Sequence, residues 1–166
     1  MELRGERVRL RPTTRADRAA LKAIRDEPEV ARWWDVQTDA WPDDADDLEL
    51  HTIEFDDEVV GLVQFWEEPD ADYRHADVDI LLTTRLHGQG LGTDAMRAIT
   101  RHLIDDRGHH RITIDPALGN DAAIRCYAAV GFRPVGVLRD YERDVDGAGW
   151  HDGLMMELLD SDRPAT

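Results

Sequence analysis

The sequence predicts an α/β protein: a mixed sheet with a single central βαβ crossover. Three observations lead there. Strand-like runs come in adjacent pairs, at residues 48–55 with 59–68 and at 134–144 with 150–159, each pair joined by a short turn-forming segment. Between the pairs runs the order strand, glycine-rich loop, helix, strand, which is the pattern of a parallel pair with its crossover, right-handed by the general rule. Lastly, 166 residues suffice for one hydrophobic core and not for two ordinary ones, so a single domain over residues 1–160 is expected, with 161–166 as a C-terminal tail.

The elements follow in chain order. RVRLRPTT, residues 7–14, alternates Val8 and Leu10 with arginines and is closed by Pro12, as a half-buried strand is. From Thr14 onward Ala20, Leu21, Ile24 and Val30 recur at helical spacing; Pro28 interrupts and Trp33-Trp34 closes the stretch, predicting two short helices. QTDAWPDDADD, residues 37–47, carries proline and acids without periodicity and reads as a surface loop where a substrate can be met. LELHTIEF and VVGLVQFWEE are rich in strand formers, and Asp56-Asp57-Glu58 between them suits a hairpin.

After the loop PDADYRH comes ADVDILLT, residues 76–83, in which Ala76, Val78, Ile80 and Leu82 face one side and Asp77, Asp79 and Leu81 the other. Two carboxylates thus stand on one face of an otherwise apolar strand. Met96, Ile99 and Leu103 mark a helix starting near Thr93, RITID supplies the next strand, and NDAAIRCYAAVGF a helix with Asn120 as N-cap and Gly131 as C′ residue. PVGVLRDYERD and WHDGLMMELL flank DVDGAG and close the fold with a hairpin.

The charge balance is 36 acids against 20 bases, and from Trp33 to Tyr73 there is neither Lys nor Arg. A field of that sign repels nucleic acid and anionic membrane and gathers cations. Asp outnumbers Glu and Lys22 is the single lysine, usage that a GC-rich genome or a saline cytoplasm also produces. No apolar run approaches the ~18 residues of a membrane span, and MELRGERVRLRP lacks the apolar centre of a signal peptide, so a cytoplasmic protein without a membrane partner is expected. Cys126 is the lone cysteine; neither it nor the seven histidines show CxxC or HExxH spacing, and the aspartates of DVDGAG and PDDADD miss EF-hand spacing, so no metal is expected.

RLHGQGLGT, residues 85–93, has the composition of a phosphate cradle. A P-loop needs lysine and a hydroxyl after its glycines, and only the hydroxyl is here. A dinucleotide fingerprint needs GxGxxG; the third glycine comes one residue early, although Asp115 stands where a ribose-binding acid would, and further βα units are missing. What remains is a loop whose backbone N–H groups, with a helix N-terminus, hold a pyrophosphate, Arg85 adding positive charge.

At these residues the chain resembles the GNAT N-acetyltransferases. R-L-H-G-Q-G matches their Arg/Gln-x-x-Gly-x-Gly/Ala acyl-CoA loop, and N-D-A-A-I-R-C-Y-A-A-V-G-F matches their Asn, tyrosine-bearing helix and Gly-Phe. Within the family EVARWW, VDILL, GQGLGT, TIDP and AIRCY resemble the aminoglycoside 6′-N-acetyltransferases in the same order, with a departure at Ile80, where that subgroup carries glutamine. The resemblance implies a GNAT fold with splayed parallel strands, acetyl-CoA as cofactor and a cationic small-molecule amine as acceptor. It places pantetheine beside Leu81, Leu82 and Thr83, with a backbone N–H there, that of Leu81, polarising the thioester carbonyl. The pyrophosphate falls to Arg85, Gly88, Gln89, Gly90, Leu91, Gly92 and Thr93, with Asn120, Ala123 and Tyr127 on the far wall. Tyr127 takes the general-acid position, and Asp79 accepts the amine's proton or holds the ammonium.

Asp115 and Glu67 are further acceptor-binding candidates. Trp33 and Trp34 are either an aromatic wall against the acceptor or core anchors at a helix end. Cys126 has no neighbouring histidine to activate it, which suits direct transfer rather than an acyl-enzyme. The expected assembly is a monomer or homodimer. Protein N-terminal, polyamine or siderophore-precursor acylation, and a non-catalytic acyl-CoA or dinucleotide sensor, stand as the alternatives.

Overall fold

The computed structural model describes residues 1–34, 41–42 and 47–163. Eight strands form one sheet: β1 (Leu3–Arg4), β2 (Arg9–Pro12), β3 (Glu49–Phe55), β4 (Glu58–Glu67), β5 (Ala76–Leu82), β6 (Arg111–Ile114), β7 (Arg133–Arg143) and β8 (Trp150–Leu159). Their spatial order is β1-β2-β3-β4-β5-β6-β8-β7. The pair β5/β6 is parallel and all others are antiparallel, so the mixed sheet with one βαβ crossover is as expected.

Helices α1 (Arg18–Arg25) and α2 (Pro28–Ala31) carry Leu21, Ile24 and Val30 into one core with Leu62 and Leu81. The crossover helix α3 (Leu91–Asp105) and α4 (Asp121–Val130) belong to a larger one built on Met96, Ile99, Leu103, Val78 and Ile112. Alternation along β5 explains the division: Val78 and Leu82 point to the α3 side, Leu81 to the α1 side. Asn120 caps α4, its Oδ1 accepting the Ala123 N–H at 3.2 Å, and Gly131 terminates it at φ 123°.

Two expectations need correction, and one element is added. The strand expected at residues 7–14 is β2, and the short β1, which was not anticipated, precedes it: the chain turns between Arg4 and Arg9, and Gly5 passes so close to Asp94 that a Cβ would sit 2.5 Å from its Oδ2. Helix α3 starts at Leu91, two residues before Thr93, because Gly90 adopts φ 80° and caps it. Trp41, read as surface loop, is 2% exposed and packs edge-on against Trp34 with Arg25 over its ring. Residues 37–40 and 43–46 of that loop lie outside the described residues, as do 35–36 before it and 164–166 of the expected tail. The tail's described part folds back, Arg163 pairing with Asp105 at 2.7 Å.

Asp94 carries the turn. Buried at the start of α3, it accepts the N–H groups of Glu6, Arg7 and Val8 at 2.8, 2.8 and 3.0 Å. Its burial opposes ionisation, yet these three donors and Arg7 hold its pKa below the ordinary carboxylate range. Asp94→Ala is expected to cost about 2–3 kcal/mol, measurable by urea unfolding at pH 7. Because the folded value is the lower one, this contribution is complete above the unfolded-chain value near ~3.9 and is lost as pH falls through the folded value.

Candidate active site

β5 and β6 pair only at Ala76 with Ile112 and Asp77 with Thr113, and then diverge. The divergence opens a cleft of about 940 Å³, walled by the glycine loop, α4, the end of α2 and part of β7. A sheet split at its one parallel pair leaves strand edges unpaired inside the protein, so the opening is lined with backbone donors and acceptors.

Which donors face it follows from strand parity. The Thr83 N–H donates to the Val60 carbonyl at 2.8 Å, so Thr83, and Leu81 two residues earlier, direct their N–H groups at β4; Leu81 is paired with Leu62. Ile80 and Leu82 direct theirs to the opposite edge, where β6 has left. The N–H expected of Leu81 is therefore spent in the ladder, and Leu82 presents one to the cleft. The Leu82 carbonyl on that same edge accepts a hydrogen bond from His87 Nε2 at 2.8 Å, which fixes the ring's proton on that nitrogen.

The glycine loop is pinned from both sides. Glu27, the residue capping α2, accepts from Thr83 Oγ1 at 2.7 Å, from the Thr84 N–H at 2.7 Å and from Thr84 Oγ1 at 2.6 Å, which outweighs its burial and keeps its pKa low. Gly88 and Gly90 have φ of 74° and 80°, with open space where a Cβ would be, so their requirement is conformational. The first intrahelical bond of α3 runs from the Asp94 N–H to Gly90, leaving the N–H groups of Leu91, Gly92 and Thr93 free of the helix ladder at its positive end. That is a built anion cradle, and the donor set fits a pyrophosphate.

The residues expected to line this half divide. Gly88, Gly90, Gly92 and Thr93 line the cleft, as do Asn120, Ala123 and Tyr127 across from them. Arg85 does not: it extends to Glu58 at 2.5 Å. Gln89 folds its amide onto the Arg85 carbonyl, the Leu91 side chain is fully buried in the core, and Thr83 is held by Glu27. These side chains shape the loop and leave contact to its backbone.

In the other half Asp79 and Asp115 come together with Asp77. Asp79 faces Gln64, whose Nε2 donates to its Oδ2 at 3.3 Å. Water reaches the Asp79 carboxylate, yet the enclosing protein disfavours its charge, and Asp115 and Asp77 add like charge: its pKa is pushed up to about 7. Partial burial and Asp115 likewise push Asp77 up to about 6. Adjoining carboxylates in such a site hold protons in common near neutral pH. Tyr127 is 6% exposed, and burial together with Asp79 raises its pKa well above 10. Trp33 and Trp34, both half-buried, line the cleft. Trp33 reaches across toward Gly119 while Trp34 leans on Trp41, so the first is wall and the second both wall and anchor.

Glu67 is a correction. It sits at the far end of β4, bound by Arg107 and by His109 Nε2 at 2.6 Å, and takes no part in the cleft. Parity places it on the strand, but only the contact with the segment after α3 shows that its charge is already matched. Conversely, Tyr141 and Glu142 of β7 line the cleft and were not anticipated, since a mostly exposed edge strand carries no periodic signal for them. Asp77 was legible as Asp79's companion, without its role.

Comparison with known proteins adds the following. Residues 7–133 match the family model described as acetyltransferase (GNAT) domain. An aminoglycoside N(6′)-acetyltransferase type 1 of Klebsiella pneumoniae is 28% identical over 156 residues, covering 81% of this chain and 78% of that protein. The structure of Mycobacterium smegmatis RimJ in complex with CoA-disulfide superposes with a TM-score of 0.86 at 26% identity, covering 100% of this chain and 89% of that one. That of the aminoglycoside acetyltransferase AAC(6′)-Ib with coenzyme A and kanamycin gives 0.77 at 24% identity, covering 93% and 96%, and shows the shared fold.

Proposed function

The chain belongs to the GNAT acetyltransferase family, and from that membership we propose that it moves the acetyl group of acetyl-CoA to a primary amine of a polycationic small molecule, specifically the 6′ amine of an aminoglycoside. The observation that carries the acceptor is the floor of the cleft: Asp79 and Asp115 together, with Glu142 lining the same opening and Asp77 close behind them. Several ammonium groups on one molecule answer several carboxylates through charge-assisted hydrogen bonds, whereas a peptide N-terminus brings a single one. The Klebsiella relative supports this reading.

Acetyl-CoA supplies the activated acetyl thioester; the chain's residues do the rest. The N–H groups at the start of α3 and the Gly88–Gly90 backbone hold the pyrophosphate. The Leu82 N–H donates to the thioester oxygen and draws electrons from the carbonyl. Asp79 binds the incoming ammonium and takes its proton; a carboxylate raised to about 7 is a better-matched base for an amine than an ordinary one. Tyr127 offers its hydroxyl to the departing sulfur. Since its pKa lies above the ~8.5 of a thiol, the phenol acts mainly as a hydrogen-bond donor to the forming thiolate.

The experiment is thiol release from acetyl-CoA with kanamycin-type and gentamicin-type aminoglycosides, spermidine and an alanine-initiated peptide. Aminoglycosides are expected to give the highest kcat/KM, with a KM that rises with salt. Turnover of the peptide alone would overturn the reading in favour of a protein N-terminus as acceptor.

A further inference from the structure

An acidic chain that holds coenzyme A must place an anionic ligand against its own field: the formal net charge is -16, and Glu29, Asp79, Asp115 and Glu142 line the cleft. Coenzyme A carries a ribose 3′-phosphate besides its pyrophosphate, and such a monoester alone brings about −1.5 to −2 at pH 7. The arginines around the glycine loop are otherwise engaged. Arg7 donates to the Gln89 carbonyl at 2.8 Å and lies over the Phe55 ring, Arg85 pairs with Glu58, and Arg97 donates to the Ala129 carbonyl at 3.0 Å. Arg125 is the exception. Among the described residues it is the one arginine or lysine that lines the cleft, and it is exposed there without a hydrogen-bond or ion-pair partner.

The fold explains how Arg125 comes to stand there. On α4, Ala123 and Tyr127 share one stripe at helical spacing, and Ala122, Arg125 and Cys126 form the neighbouring one, all of them lining the opening. Cys126 packs this second stripe against the first turn of α3: its Sγ is 3.4 Å from Thr93 Oγ1, and a Cβ on Gly92 would sit 3.5 Å from it. Arg125 therefore stands on the exposed rim beside the anion cradle, while Tyr127 marks the buried end. With the thioester at Leu82 and Tyr127 and the pyrophosphate at the start of α3, the covalent order of the cofactor sends its ribose outward past this rim. We propose that Arg125 binds the 3′-phosphate of coenzyme A, so that the cleft distinguishes this cofactor from one that ends in an unphosphorylated ribose. The inference rests on the reading of the cleft as the acetyl-CoA site. A guanidinium fork takes two phosphate oxygens at once, and on an exposed rim it does so without the desolvation cost of a buried charge.

The test is equilibrium binding of coenzyme A and of 3′-dephospho-coenzyme A, followed by titration calorimetry on the full chain without acceptor. Wild type is expected to bind coenzyme A about tenfold more tightly than the dephospho form, and Arg125→Ala to bring that ratio to within about twofold by weakening coenzyme A alone. An exposed helical position accepts alanine without loss of fold. Arg125→Lys, which keeps the charge and loses the fork, is expected to fall between the two, and the wild-type preference to shrink at high salt. Arg133→Ala, which removes a positive charge from β7 outside the cleft, is expected to leave the ratio unchanged. A wild type without preference, a preference that survives in Arg125→Ala, an equal weakening of both ligands, or an equal effect of Arg133→Ala overturns the role of Arg125 and leaves the cleft as the cofactor site. Binding of neither ligand by wild type overturns the reading of the cleft and this inference with it.

Discussion

Replacing Tyr127 by phenylalanine is expected to lower kcat by about 10²-fold or more, with KM for acetyl-CoA within a few-fold of wild type. The ring packs against Phe132 at 6.2 Å between centroids, and phenylalanine keeps that contact, so the folded state survives. What disappears is one hydroxyl in a buried place, where a thiolate leaving the thioester has little water to receive it. A donor there acts only as charge develops on sulfur, which is why the loss falls on kcat and not on binding. Burial and Asp79 keep the phenol protonated through the working range, so no loss of activity is expected from its ionisation below pH 10. Steady-state thiol release at two acetyl-CoA concentrations measures this, and a change of only a few-fold would remove Tyr127 from the chemistry.

Asp79→Asn is expected to lower kcat/KM for the amine by about 10²- to 10³-fold and to erase the acidic limb near pH 7. The same substitution carries a stability consequence of opposite sign. Enclosure, with Asp115 and Asp77 nearby, raises the folded-state pKa of Asp79 to about 7. Folding therefore favours the protonated carboxyl: stability is full below the unfolded-chain value near ~3.9 and is lost as pH rises through the folded one. Asparagine cannot ionise, so the variant is expected to melt at a higher temperature than wild type at pH 8 and to match it at pH 4. A site that is less active and more stable at once is the signature of like charges held together for function. Equal melting temperatures at pH 8 would show that the carboxylates do not strain one another.

Much of this was legible beforehand. Period-two runs gave away the strands, Asn120 and Gly131 bracketed α4, and the three glycines with their surroundings narrowed the loop to one kind of phosphate. Asp79 and Tyr127 were reached through motif order. What stayed hidden has a common cause. Leu81 and Leu82 are equally apolar, and which of them offers its N–H to the cleft depends on which strand lies on which side. Glu67 looks as available as Asp79 until Arg107 and His109 arrive from the segment after α3. Trp41 sits among acids in the chain, yet it is buried because Trp34 and Arg25 close over it.

By itself the sequence determined the elements, their order, the anion-binding loop and the excess of acid, because each depends on residues near one another in the chain. Only the tertiary structure decided how those acids are used: paired away at Glu67 and Glu58, committed to backbone donors at Asp94 and Glu27, and crowded against one another at Asp77, Asp79 and Asp115. A carboxylate's charge state depends on the dielectric and the partners around it, and both are set by contacts between segments far apart in the chain.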